Sequence, residues 1–489
     1  MIRKKLLALL LVAALAFGLA ACSKKSSTEP SSVSGSLRLP FCAEEMIDPY
    51  GETASFNRLL SELVYESLFV IDESCMPVEQ LADTYILEDK TITVTLKSAL
   101  FSDGSALTSK DVVFSFNRAK QSDHYKAALK SIEAVQEKGS SVVRFTLASK
   151  NVYALNLLTF PILSQKNNRI GSGLYALQEE DGAYSLAYNK NHEGDKPHFD
   201  TIELVECADE SSAQKLFNSE KIDYLFESLA EGNVRTSAIQ SAKAKLNNLV
   251  FLGINSKKGL LKDAAFRKAI AYCINQSELC DTALEGFGIA TATPFDSKWS
   301  EMGSIVADSV LSNAKQAKAA FADAGCAYDK MGINLLYEEK PISLTILVNS
   351  TNNMKIALAE QIKTQLIGMG ISVDINKMPL DEYNIAVENE NFDLYLGEVK
   401  IPNDFNLDCF FANDGGADFG IDFSTIQKTY VLFKGGNASL QDFVSAFCAQ
   451  MPFIPICYRC ANVCLGAQLK TQGTISENMA FPQIREWSK

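Results

Sequence analysis

Residues 100–120 read LFSDGSALTSKDVVFSFNRAK. Asp103-Gly104 is a turn signal, because glycine takes a positive φ without steric cost. A helix start follows. Thr108 is placed as the N-cap, and Asp111, at the third helical position, can reach back and complement the positive helix end. Leu107 and Val112 have the spacing of a hydrophobic staple. Val112, Val113, Phe116 and Ala119 then share one helical face. The stretch predicts a turn, a capped helix and a buried face, which is scaffold rather than chemistry.

Outward from it, periodicity gives further elements. Ser36–Leu39 reads as a short strand, Pro40–Pro49 as a loop, and Asn57–Phe69 as a helix with Leu59, Leu60, Leu63, Val64 and Leu68 on one side. Thr91–Leu96 alternates, with Ile92, Val94 and Leu96 facing inward from a strand. Tyr184, Leu186 and Tyr188 alternate in the same way. Ser211–Ser219 reads as a helix. Val250, Leu252 and Ile254 predict a strand, followed by a helix over Asp263–Ile274. Met354, Leu358, Ile362 and Leu366 repeat along a helix between two strand-like runs, Leu344–Val348 and Ile371–Ile375. A helix linking two strands this way implies a parallel pair and a right-handed crossover. Phe392–Leu396 is the next strand, ending at Gly397.

The chain of 489 residues is too long for one compact core. Its net charge is −13, and removing Arg3, Lys4 and Lys5 with the leader takes it to −16. So acidic a chain, with no basic cluster after Lys25, is a poor non-specific binder of nucleic acid. Arg3-Lys4-Lys5 is a charged n-region, and Leu6–Gly18 is an apolar run too short to span a membrane. Leu19-Ala20-Ala21-Cys22 resembles the lipobox of bacterial lipoproteins, which implies a signal peptide over 1–21 and a diacylated Cys22. The plainer alternative is an ordinary secretory signal with an incidental cysteine. Residues 22–35 read as a flexible tether. Of 12 cysteines, 11 remain beyond Cys22. An odd count is no disulfide framework. Several lie in apolar runs, and the expectation is buried free thiols acting as small hydrophobes.

Four stretches together carry a family resemblance. Phe101 to Arg118 (FSDGSALTSKDVVFSFNR) resembles the signature of the extracellular solute-binding proteins of family 5, the peptide receptors of ABC importers. Gly171-Ser172-Gly173-Leu174-Tyr175 on to Ile202, Leu249 to Cys280, and Pro452 to Arg459 (PFIPICYR) agree with it in order. The Gly-x-Gly is no dinucleotide fingerprint, since the third glycine and the downstream acid are missing. The resemblance implies an α/β, two-lobed periplasmic-binding-protein-like type II fold with an extra subdomain. Its lobes are joined by a two-crossover hinge, placed near Gly253–Asn255 and near Tyr458–Ala461. The implied parts are 36–50, 165–253 and 463–489 as the core of lobe I, 51–164 as its extra subdomain, and 254–462 as lobe II.

No nucleophile elbow, zinc-protease motif or phosphate loop occurs in the chain, and no catalytic residue, cofactor or metal is expected. His192 and His198 sit in a polar loop. Cys457, Cys460 and Cys464 form the sharpest metal-like spacing, and buried thiols account for it better. The resemblance implies capture without catalysis. A peptide is held between the lobes and passed to an ABC permease with its ATPase subunits, by a monomer anchored through lipid on the extracytoplasmic face of the cell membrane. Alternatives are a non-peptide solute on the same fold (a metal chelate, haem or a sugar) and a secreted lipoprotein peptidase. Candidate ligand residues are Glu44 and Glu45 in the first corner, Tyr125 and Tyr458 as walls, Arg459, and Gly397, Lys400, Asn403 and Asp404. In the family's peptide binders, the glycine at the place of Gly397 precedes a Trp and then an Asp that pairs with the peptide α-amino group. Here Glu398 replaces the Trp, and Lys400 lies near the expected carboxylate. Two readings stay open: Asp404 keeps the amino-terminal role with Lys400 solvated, or Lys400 faces the cleft and favours an anionic group.

Overall fold

The computed structural model describes residues 35–51, 54–230, 232, 236–305, 311–413 and 415–489. The leader, Cys22 and most of the tether lie outside the described residues.

The signature stretch folds as its residues dictate. Gly104 adopts φ +82° in a turn closed by its own N–H on the Phe101 carbonyl at 2.9 Å. The helix runs Ser109–Ala119 with Thr108 as N-cap. One Asp111 oxygen accepts from the Thr108 N–H at 2.9 Å and from its hydroxyl at 2.8 Å; the other accepts from the Gln165 N–H at 2.9 Å. Leu107, Val112, Phe116 and Ala119 are buried in one hydrophobic cluster. The Phe116 ring packs edge-on against Phe145 and Phe160. Phe145 belongs to a four-stranded antiparallel sheet in the order Ala82–Glu88, Thr91–Leu96, Val142–Leu147, Ile132–Glu137. Ile92, Val94 and Leu96 point into its core, as their alternation requires.

A second sheet carries Leu37–Phe41 parallel to Thr201–Glu206, followed by Ala183–Tyr188 and Tyr175–Glu180. The largest sheet has the order Tyr224–Glu227, Phe453–Leu465, Gln240–Ile254, Leu394–Lys400, Ser343–Asn349, Ser372–Met378, with Gly288–Ala290 added on Phe453–Leu465. Ser343–Asn349 and Ser372–Met378 are parallel, with the Asn353–Ile367 helix between them in the chain. Leu358, Ile362 and Leu366 form its buried stripe.

Two long strands thread both halves of the molecule. Ala244, Leu246, Ala461 and Val463 belong to one hydrophobic cluster, with the signature helix. Leu249 to Leu252 and Phe453 to Tyr458 belong to the other. The interior therefore changes between Leu246 and Leu249 on one strand, upstream of Gly253–Asn255, and between Tyr458 and Ala461 on the other. At that point the pairing slips: Lys245 faces Cys460 and Leu249 faces Tyr458, so three residues on one strand oppose Arg459 alone. Such a bulge bends the strand and re-aims its side chains.

Three expected boundaries move. The helix expected to reach Phe69 ends at Val64, because the Gly173 N–H takes the Val64 carbonyl at 2.9 Å. The strand expected to stop at Gly397 runs to Lys400, paired with Asn248 to Phe251. The last strand continues past Arg459 to Leu465. No disulfide joins the 11 cysteines among the described residues, and ten of them are buried. Burial pushes the Cys273 thiol up to about 12 and the Cys326 thiol up to about 11, which keeps both protonated and unreactive.

Candidate functional site

The bulge gathers polar side chains from several elements. Glu398, from the Leu394–Lys400 strand, lies at its centre. Its Oε1 accepts from Arg459 Nε and from Asn248 Nδ2, each at 2.8 Å. Its Oε2 meets Lys355 Nζ at 3.1 Å, from the first turn of the Asn353–Ile367 helix. Arg459 also donates to the Ser228 carbonyl. The Glu398 and Arg459 side chains are 10% and 6% exposed. Burial opposes ionisation of Glu398, but Lys355, Arg459 and Asn248 outweigh it and hold the carboxyl below its ordinary range.

A second carboxylate arrives from the tail. Glu477 accepts the Asn247 N–H at 3.0 Å and pairs with Lys400. Burial again opposes its ionisation, and Lys400, the Asn247 amide and Arg459 prevail. Beside it, Asn403 receives Asn247 Nδ2 at 2.6 Å and Asn478 Nδ2 at 3.2 Å on its side-chain oxygen, and Asn156 Nδ2 at 2.9 Å on its carbonyl. Three separate stretches of chain thus meet on one turn, Ile401–Phe405.

The 51–164 segment brings the opposite wall. Burial pushes the His124 imidazole down to about 4, with the Arg58 and Lys400 charges acting in the same direction and Glu477 against them. His124 is therefore neutral at pH 7. Glu62, one helical turn from Arg58, accepts the Ala480 N–H at 2.8 Å, and burial pushes it up to about 8. The Tyr125 phenol is raised by burial and feels both Arg58 and Glu62, and its ring lies edge-on to Tyr50 at 5.6 Å. At pH 7 the four cations Arg58, Lys355, Lys400 and Arg459 face the two ionised carboxylates Glu398 and Glu477.

The expected residues lie in several places. Lys400, Asn403 and Arg459 meet at the bulge, with Tyr125 in the field of the opposite wall. Asp404 is 3% exposed; its Oδ2 accepts from Asn151 Nδ2 at 2.8 Å, and its Oδ1 is buried without a hydrogen-bond partner. Burial pushes it up to about 6. Glu44 and Glu45 are exposed and Glu45 accepts the Ala54 N–H. Tyr458 is no wall: it is 3% exposed inside the second cluster, with its hydroxyl on the Pro294 carbonyl at 3.0 Å. Gly397 is a packing position, since a Cβ there would lie 2.4 Å from the Phe251 ring. Among the described residues no group of three His, Cys, Asp or Glu side chains could hold a metal ion, and no helix is long and apolar enough to cross a membrane.

Arg58, Lys355, Asn247, Asn248 and Glu477 were not anticipated. The Asn247-Asn248 pair inside a strand was the one visible signal, since asparagine is depleted from strands. Nothing local marks Glu477, which the topology of the tail alone delivers.

Comparison with known proteins agrees with this architecture. The chain is 26% identical over 426 residues to the oligopeptide-binding protein AppA of Bacillus subtilis (strain 168), covering 77% of this chain and 76% of that one. Among solved structures, an ABC transporter substrate-binding protein from Sinorhizobium meliloti superposes with TM-score 0.73 at 16% identity, over 92% of this chain and 99% of that one. NikZ from Campylobacter jejuni, solved with Ni(L-His), gives TM-score 0.62 at 20% identity over 93% and 99%. These structures show the fold: a two-lobed type II periplasmic-binding-protein architecture. Residues 77–413 match the family model described as bacterial extracellular solute-binding proteins, family 5, middle region. The chain belongs to family 5 of the bacterial extracellular solute-binding proteins.

Proposed function

We propose that this protein captures peptides between its lobes, on the wall built by Lys400, Asn403 and Arg459 and faced by Tyr125, and delivers them to an ABC permease. The observation that carries this reading is the bulge itself. Two strands cross from one interior to the other there, and a dense polar network sits at the crossing. A hinge beside a polar wall is how two-lobed proteins enclose a solute. The relative AppA, named for oligopeptide binding, supports the solute class. Asp404 is turned to Asn151, so the amino-terminal anchor is weak, and Lys400 at the edge of the bulge favours the carboxylate end of the ligand.

Calorimetric titration with one peptide in three forms tests this: free, N-acetylated and C-amidated. Acetylation is expected to change affinity little, and amidation to weaken it about tenfold, the equivalent of 1.4 kcal/mol. A large loss on acetylation that Asp404→Asn abolishes shows the amino-terminal anchor to be intact and refutes the carboxylate preference. Mass spectrometry of material released from the purified protein tests the class itself; a metal chelate, haem or sugar there overturns the peptide reading.

Cys22, outside the described residues, is proposed as the lipidated terminus of the mature chain. Two acyl chains suffice for stable attachment. Cys22→Ala is expected to move the protein from the membrane pellet to the soluble fraction, and unchanged partitioning rules the anchor out.

A further inference from the structure

Beside the bulge, apart from the side chains of the binding wall, a thiol, an amine and a carboxylate are buried together. Cys75 Sγ lies 3.0 Å from Lys245 Nζ. Asp296 Oδ2 lies 2.5 Å from the same Nζ and 3.6 Å from the sulfur. Cys75 is buried, and the Lys245 and Asp296 side chains are 14% and 5% exposed. The three come from distant parts of the chain. Cys75 is in the turn after the Phe69–Ile71 strand, Lys245 is on the long Gln240–Ile254 strand where its pairing slips, and Asp296 follows the Gly288–Ala290 strand.

The backbone aims each of them. Cys75 sits at φ +62°, a costly conformation for a residue with a side chain. Asp72 imposes it: its carbonyl accepts the Cys75 N–H at 3.1 Å, and its carboxylate accepts the Ser74 and Met76 N–H groups at 2.9 and 2.8 Å. Asn156 Nδ2 holds the Cys75 carbonyl at 3.2 Å, and the Ser300 N–H holds the Ser74 carbonyl at 3.1 Å. A glycine would fit this turn without steric cost. The cysteine instead sets a sulfur against an amine. The other Asp296 oxygen accepts the Lys298 N–H at 2.8 Å, and the Lys245 carbonyl accepts the Glu477 N–H at 2.9 Å.

The surroundings differ from those of the other buried thiols described above. Cys273 gives its S–H to the Ala269 carbonyl, which has no nucleophile to offer. At Cys75, burial raises the thiol and Lys245 pulls it the other way. Burial opposes the Lys245 charge, and Asp296 outweighs it. The resting pair is a thiol beside an ammonium, stable until an oxidant arrives.

We propose that Cys75 and Lys245 are a redox modification site, at which dioxygen joins them through a covalent N–O–S bridge. The thiol, the ammonium and one molecule of dioxygen give Sγ–O–Nζ, one water and one proton. The S–H bond, two N–H bonds and the O–O bond break, and one S–O and one O–N bond form. Sulfur and nitrogen each lose two electrons, and dioxygen takes all four. Asp296, already bonded to the ammonium, accepts the proton. One oxygen atom spans the 3.0 Å gap with little movement, whereas a direct S–N bond would pull both side chains out of place. The bridge ties together residues 170 positions apart, so it also restricts the unfolded chain. It does not depend on what the cleft binds.

Mass spectrometry tests this. The protein is purified under nitrogen with a reductant, then divided; one portion stays anaerobic and the other stands in air-saturated buffer. After aeration, trypsin is expected to stop cutting at Lys245. The peptides carrying Cys75 and Lys245 should run as one species, heavier than their sum by one oxygen less two hydrogens, and dithiothreitol should separate them. Lys245→Arg keeps a cation beside Asp296 and should lose the cross-link, as should Cys75→Ser. Aerated wild type should unfold at a higher urea concentration than the anaerobic portion, and neither variant should show that shift. An aerated wild type in which Lys245 is still cut overturns the site, whether Cys75 is unchanged, carried on to sulfinic or sulfonic acid, or paired with another cysteine. A cross-linked pair without the added oxygen overturns the N–O–S bridge. If a variant does not fold, the wild-type digest decides.

Discussion

Glu398→Ala is expected to destabilise the protein by about 3–5 kcal/mol, the cost of removing one partner from a buried ion network. The reason is what stays behind. Arg459 and Lys355 both direct their charge at this carboxylate, and their side chains are 6% and 19% exposed. Asn248 loses its acceptor as well. Truncation leaves two largely buried cations at the bulge without their shared carboxylate, and they repel each other. Urea denaturation reads the loss directly. A double variant, Glu398→Ala with Arg459→Met, should recover part of it, because the interaction is a property of the pair. Equal destabilisation in the single and double variants would show that the network adds nothing beyond packing. The sign with pH follows from the lowered carboxyl. Glu398 stabilises the fold fully above the ordinary glutamate range, and the contribution disappears as pH falls through its depressed value. The difference between wild type and Glu398→Ala should therefore shrink on acidification.

Gly171→Ala and Gly173→Ala are expected to be as damaging, for a different reason. These glycines lie against the end of the Ser55–Val64 helix. A Cβ on Gly171 would sit 2.0 Å from the Val64 carbonyl oxygen, and one on Gly173 would sit 2.5 Å from its carbonyl carbon. The obstacles are backbone atoms, which cannot rotate aside. Gly173 also caps the helix through its N–H, and the Gly171 carbonyl accepts the Ser102 N–H of the signature turn at 3.0 Å. One methyl group would therefore push apart a helix end and the turn that positions the next helix. A cost of about 3 kcal/mol or more is expected, at the upper end for overpacking. The control is Gly182→Ala, at a hairpin tip with open space around its Cα and φ +80°, where the penalty is conformational only. Thermal melting that ranks Gly182→Ala equal to the other two would refute the close-approach explanation.

Local chemistry was legible where neighbours in sequence are neighbours in space. The capping pair of Thr108 and Asp111, the alternation of Ile92, Val94 and Leu96, and the parallel pair around the Asn353–Ile367 helix all rest on short-range rules. The candidate site was legible only in part. Lys400, Asn403 and Arg459 were found through the family pattern, whereas Glu477 and Arg58 reach the same place through long-range topology that no periodicity encodes. Gln240–Asn248 was not anticipated as strand, since its inward positions are mostly small alanines, and its pairing with Ala461–Leu465 is what extends it. Tyr458 was misplaced for the opposite reason. Every residue of Phe453–Leu465 is buried, so the strand has no wet face against which a binding residue could be told from a core one.

The two long strands have a consequence for how the molecule comes apart. Proteins with separate lobes commonly melt in stages, each interior failing on its own. Here the strands Gln240–Ile254 and Phe453–Leu465 supply side chains to both interiors and hydrogen-bond to each other on both sides of the bulge. Loss of one interior frees the strand ends that order the other. The crossing that joins the lobes is therefore also a seam, and the two interiors are expected to unfold as one cooperative unit.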